Sequence, residues 1–257
     1  MTVPVGLLSI CVAMAVAVGG LILVQRFVPT DVRRQHNDVA GFIYAVLGVT
    51  YAVLLGLMLV AVWEDWEAAR ISADTEASAL AEIFWIADRL PAEDGQRVQE
   101  LCREYARAVV EDEWPLMQFG KSSPEAWALL DDIRANLQKV DPSTPGQQVI
   151  YEQSLERMRD LADARRDRLL EAENGLPGIL WVVLITGGVI TVGFTYLFGL
   201  DSTIIHLLMV GSLALVLALV LFTVGALNFP FEGDITIQPD AMQHVLDRFR
   251  TSKLSDL

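Results

Sequence analysis

Side chains able to carry chemistry are few in this chain and poorly grouped. Acidic runs occur at Glu64-Asp65, Glu111-Asp112-Glu113 and Asp131-Asp132. Such runs can hold a cation, but on amphipathic helices they read as solvated faces. The three histidines, His36, His206 and His244, are far apart, and only His36 sits in a polar cluster, with Arg33, Arg34 and Asp38. A solvated loop histidine is the reading this favours over a proton sensor or ligand. Cys11 falls in an apolar run and Cys102 in a polar helix, so no disulfide is expected. There is no zinc-ligand spacing, no phosphate-binding loop and no nucleophile beside a base. No catalytic, cofactor-binding or metal-binding residue is assigned, and the chain reads as a non-enzyme.

The elements that position these residues belong to a membrane protein. Of 257 residues 53% are hydrophobic, which is too apolar for an ordinary soluble domain. The formal charge is -14, with most acidic residues between Glu64 and Glu173. That surface argues against nucleic acid as a partner, since nucleic acid needs a basic footprint. Four apolar runs have spanning length: about 5–24, 39–63, 177–198 and 204–227. No Lys or Arg precedes Arg26, so the first reads as a membrane helix rather than a signal peptide. The second continues past Trp63 through Glu64, Asp65 and Trp66 to Leu90 without Pro, predicting one helix half in lipid and half in water. Residues 64–174 then form a stalk of four antiparallel helices. Ala73, Ala77, Leu80, Phe84 and Ala87 give the first its seam. Val98, Leu101, Tyr105, Ala108 and Asp112 give the second, over about Ala92 to Glu113, its face. Ser123 caps the third, with Pro124 at its first position, and Thr144-Pro145 starts the fourth. Residues 228–257 read as a tail with a short extended piece at Ile235 to Ile237, a small amphipathic helix over Asp240 to Arg250, and a loose end. The fold class is therefore an all-α integral membrane protein, with four transmembrane helices in two hairpins and an inserted antiparallel helical-bundle domain. Its domains are 1–63, 64–174, 177–227 and 228–257.

Within the second span Gly48, Ala52 and Gly56 recur every four residues, which allows another helix to approach closely. Tyr44, Gly48, Tyr51, Leu55 and Met58 form a neighbouring stripe. Both rows are helix-packing or pore-lining candidates. Arg33, Arg34, His36 and Asp38 stand at the entry to that helix, where a positive collar would gather anions. No ionisable residue lies in the middle of any span, which argues against a pump and leaves a passive pore open. Arginines are more numerous near the domain side of the spans, which favours a cytoplasmic domain.

The run from His36 to Gly56 (HNDVAGFIYAVLGVTYAVLLG) resembles the signature of the bestrophin-like family of bacterial membrane proteins, a domain of unknown function numbered 4239. Trp63-Glu64-Asp65-Trp66, Glu113-Trp114-Pro115, Leu161 to Arg166 and Thr191 to Gly199 are similar to that family too. The resemblance implies a bacterial inner-membrane protein distantly like bestrophins. Those are pentameric anion channels with two membrane hairpins, a helical cytoplasmic insert and a pore lined by the second membrane helix. The leading expectation is a homo-oligomeric channel in the lipid bilayer for small ions, anions favoured, with no cofactor. The rival is a non-conducting scaffold or signalling protein whose cytoplasmic domain binds a protein partner.

Overall fold

The computed structural model describes residues 2–252, which form helices with no strand among them. Four helices are long and apolar enough to cross a bilayer: α1 (Val3–Phe27), α3 (Asn37–Ala87), α8 (Gly178–Thr195) and α9 (Thr203–Leu227). The short α2 (Thr30–Arg34) lies between the first two, in a stretch expected as loop. Between α3 and α8 come α4 (Ala92–Ala108), a π-helical turn (Val109–Glu113), α5 (Trp114–Met117), α6 (Pro124–Lys139) and α7 (Pro145–Glu173). The last helix is α10 (Asp240–Ser252). The end expected to be loose lies, from residue 253 on, outside the described residues.

Two compact units result. One comprises residues 1–64, 175–228 and 233–235; the other comprises 65–174, 229–232 and the chain from 236 on. The helix α3 contributes its apolar first part to one and its polar remainder to the other, ending three residues before the expected Leu90.

In the first unit α1 packs along α9. Ala17 and Leu21 meet Val210 and Ala214, and a Cβ on Gly6 would overlap the Phe222 ring. Small residues let these backbones close up where no hydrophobic force drives helices together in lipid. Tyr196 at the end of α8 donates its hydroxyl to the Ala17 carbonyl (2.7 Å), beside Gly20. Tyr51 of α3 crosses to α8, lies against Gly187 and Gly188, and donates to the Leu184 carbonyl (2.7 Å). The exposed faces are almost wholly apolar, as lipid-facing surfaces must be.

The second unit has an ordinary core. The seam Ala73, Ala77, Leu80, Phe84 and Ala87 is buried, as are Leu130, Ile133 and Leu137 of α6 and Met158 and Leu161 of α7. Ser123, the expected cap, accepts from Ala126 N (3.3 Å), and Thr144 accepts from Gln147 N (3.2 Å) at the start of α7. The segment read as a tail belongs to this core: Phe231, Ile237, Met242, Leu246 and Phe249 are buried in it. The extended piece at Ile235 to Ile237 does not form a strand; Ile237 N instead donates to the Pro230 carbonyl (2.9 Å), closing a turn.

The glycine contacts separate two kinds of effect. A Cβ on Gly187 would stand 2.5 Å from the Tyr51 ring, whereas one on Gly48 meets nothing within 4 Å in the chain. Gly187→Ala is expected to lower stability by about 1–3 kcal/mol through overpacking. Gly56→Leu, at an exposed position where a Cβ likewise meets nothing within 4 Å, should leave the monomer's thermal midpoint unchanged, so any effect on particle size reports contacts between copies. Thermal unfolding and multi-angle scattering of both variants check the contrast.

Candidate functional site

The membrane part of α3 has two faces. Tyr51 and Leu55 are buried, with Tyr44, Gly48 and Met58 half-buried beside them. This stripe turns into the chain's own bundle, where Tyr44 stacks on Phe194 (6.1 Å) and meets Phe198 edge-on (5.8 Å). It is therefore a packing stripe within the subunit. The flanking face, about a third of a turn round the helix, carries Ala45, Val49, Ala52 and Gly56, all exposed and all small or β-branched. Of the small-residue row, Ala52 and Gly56 thus belong to a surface another copy could reach, and a Cβ on Gly56 would meet open space. Periodicity alone could not choose between these faces, because both are apolar.

The entry to α3 is built differently from a positive collar. Arg33 is 5% exposed and donates to the carbonyls of Phe198 (3.1 Å) and Tyr196 (3.3 Å), tying α2 to the turn after α8. Arg34 is exposed but pairs with Asp201 at 2.5 Å. Asn37 clamps the same turn reciprocally, donating to the Gly199 carbonyl and accepting from Gly199 N, both at 3.0 Å. These bonds end α8 at Thr195 rather than at 198. A Cβ on Gly199 would crowd the Thr30 carbonyl (2.7 Å), so only glycine permits the approach. His36 and Asp38 are exposed. His206, read as isolated, is buried, its Nε2 facing the Thr195 carbonyl (3.1 Å) and its Nδ1 facing Gln25 (3.3 Å). Arg33 is thus a structural residue, and the expected collar is reduced to Arg34 and His36.

The second unit holds a charge cluster that sequence reasoning missed. Glu76 of α3, Glu113 at the π-helical turn, and Arg165 and Arg168 of α7 are all fully buried. Arg168 bridges the two acids, at 2.5 Å to Glu76 and 2.7 Å to Glu113, and Arg165 pairs with Glu113 at 2.5 Å. Tyr105 of α4 donates to Glu76 (2.6 Å) and accepts from Arg165 (3.2 Å), and Ser123 N donates to Glu113 (2.9 Å). The guanidinium of Arg165 lies 4.6 Å over the Trp127 ring and that of Arg168 lies 5.0 Å over the Trp114 ring. Burial alone would lower the Arg168 pKa, but Glu76 and Glu113 outweigh it and raise it. Burial, helped by Glu76, pushes the Tyr105 hydroxyl well up, so it stays protonated. Burial likewise pushes the Cys102 thiol up, leaving it unreactive.

The π-helical turn explains the miss. It inserts one residue into the 98, 101, 105, 108 pattern, so that Glu113 rather than the expected Asp112 faces inward. Glu111 and Asp112 are exposed, as expected of an acidic run. A signal was present: arginines at 165 and 168 fall on the stripe of Leu161 and Ala162, where solvated charges do not belong. Among the described residues no group of three or more acidic, His or Cys side chains could hold a metal ion.

The Bestrophin-like domain matches residues 11–242. A crystal structure of a bacterial bestrophin homologue from Klebsiella pneumoniae superposes with TM-score 0.69 at 15% identity, covering 93% of this chain and 97% of that one. A second variant of that homologue gives TM-score 0.71 at 15% identity over 95% and 96%. A structure described only as a membrane protein gives 0.70 at 15% over 93% and 96%. At this identity the likeness is one of fold. No curated protein matches the chain.

Removing one partner from the cluster leaves an uncompensated buried charge. Arg168→Met or Glu76→Leu should each cost about 3–5 kcal/mol. Breaking the exposed Arg166–Asp163 pair by Arg166→Ala should cost about 0–1 kcal/mol. Denaturant unfolding of the purified protein measures the difference.

Proposed function

The chain belongs to the bestrophin-like family, and on that premise we propose that it is an oligomeric channel passing small ions through an axis lined by the exposed face of α3. The observation that carries this is the uncharged row Ala45, Val49, Ala52 and Gly56, which leads in the same helix to exposed Glu64 and Asp65. Small residues allow copies to gather round an axis, and a passive path needs no intramembrane charge. Repeated in each copy, Glu64 forms an acidic ring where the span ends. Family and apolar helices agree with a multi-pass membrane protein. We place it in the bacterial inner membrane with residues 64–174 in the cytoplasm, on the arginine count near the spans.

Selectivity follows from charge placement. The anion preference expected from the collar loses its basis, since Arg33 is internal and Asp201 balances Arg34. Residues 64–174 carry twenty-five acidic and thirteen basic side chains, so fixed charge on the domain side draws cations. The pore favours small cations.

Purified protein in planar bilayers under a KCl gradient should show a reversal potential displaced toward potassium, and Glu64→Lys should reduce the displacement or reverse it. A displacement toward chloride in the unaltered protein would restore the anion reading. Absence of current at high protein loading would favour a scaffold. Thiol labelling in vesicles, on a background without Cys11 and Cys102, should mark cysteines at Ala45, Val49, Ala52 and Gly56 and spare those at Tyr51 and Leu55. Labelling confined to Tyr51 and Leu55 would refute the assignment of faces.

A further inference from the structure

Next to the neutralised cluster in the second unit lies a carboxyl group with the opposite character. Glu171 of α7 is half-buried, and its Oε2 is shut off from solvent with no hydrogen-bond partner among the described residues. Ser72 of α3 donates a hydrogen bond to the carboxyl, and the charges that act on it are Asp167, one turn earlier on its own helix, and Asp65 of α3. Both are acidic. The nearby arginines are engaged elsewhere: Arg168 with Glu76 and Glu113, and Arg70 with Glu67 (2.6 Å) and Asp74 (3.0 Å). Glu171 forms no ion pair among the described residues.

We propose that Glu171 is a proton-operated latch on the seam between α3 and α7. Protonated, it is neutral, its buried oxygen carries no charge, and the seam closes around it. Ionised, it places a third carboxylate beside Asp65 and Asp167 with no facing cation, and the seam loosens at that end. Burial, the largest cause, pushes its pKa up to about 7; Ser72 opposes this, and Asp167 and Asp65 add to it. The proton therefore leaves around neutral pH, where ordinary carboxyls are long since ionised. This site is independent of conduction, since it concerns only the packing of the second unit.

The sign is fixed by linkage. The folded state holds a proton that the unfolded chain has already lost, so stability falls as pH rises from the ordinary glutamate range to about 7 and is flat above. Full-length protein in detergent should therefore gain from Glu171→Gln mainly at higher pH. At about pH 8 its thermal midpoint should exceed that of the unaltered protein by roughly 2–4 °C, and at about pH 5 the gap should shrink to a fraction of that. Hydrogen exchange, corrected for intrinsic rates, should show residues 65–72 opening faster at pH 8 than at pH 5 in the unaltered chain only. Equal pH dependence in the two proteins would overturn the proposal. Where Glu171→Gln fails to fold, Asp167→Asn serves. Removing one repelling charge should shift the midpoint of the exchange change to lower pH, and an unshifted midpoint would count equally against the latch.

Discussion

The stalk depends on a charge taken wholly out of water. Arg168 lies between Glu76 and Glu113, with Arg165 completing the pairing on the far side of Glu113. Each ion alone would cost several kcal/mol to bury, so all four must be present together with their hydrogen bonds. Tyr105 and Ser123 N supply further bonds to the acids, and the rings of Trp114 and Trp127 cover the guanidinium faces. The cluster joins three stretches distant in sequence: α3, α4 with the π-helical turn that continues it, and α7. An apolar core could be as stable, but it would let α7 slide or rotate against α3. Hydrogen bonds between charged groups fix that register, since a displaced pair leaves a bare charge.

The membrane unit obeys the reverse logic. Its outer surface is apolar and its contacts use small and polar groups. Gly187 and Gly188 admit the Tyr51 ring, and Gly6 admits Phe222. Hydroxyls find carbonyls in their own helix, as Thr191 does at Gly187 (2.8 Å), or in a neighbouring one, as Tyr51 does at Leu184 (2.7 Å). With no water to satisfy stray donors, such bonds hold a span in one rotation. That rotation decides which side of α3 is left for other copies, so the buried tyrosines define the candidate pore face by occupying the other one.

The four spans, the unbroken α3 and the capped helices were legible because each rests on local composition: apolar length, absence of breakers, Ser or Thr before Pro. The site was less so. Tyr51 and Ala52 are neighbours that both suit a membrane span, and which one faces inward depends on the glycines of α8, more than a hundred residues away. Arg33 and Arg34 are adjacent and identical, yet one is buried against carbonyls and one is paired at the surface. That difference follows from where the turn after α8 comes to rest. Glu113 was hidden by a single inserted residue, which shifts the inward position by one while composition stays unchanged.

The two electrostatic regimes share one backbone. Along α3 the residues from Val39 to Trp63 carry no ionisable charge except the tyrosine hydroxyls, and those from Glu64 onward are dense in acids. Between Gly56 and the end of α3 there is neither Gly nor Pro, so no position offers a cheap kink. The cluster at Glu76 grips this helix by ion pairs. The group at Ser72 and Asp65 grips it only as long as Glu171 is neutral. Ser72 lies about one turn from that firm point and Asp65 about three, so when the conditional contact is lost α3 stays anchored at Glu76 and only the packing of the second unit between Asp65 and Ser72 loosens.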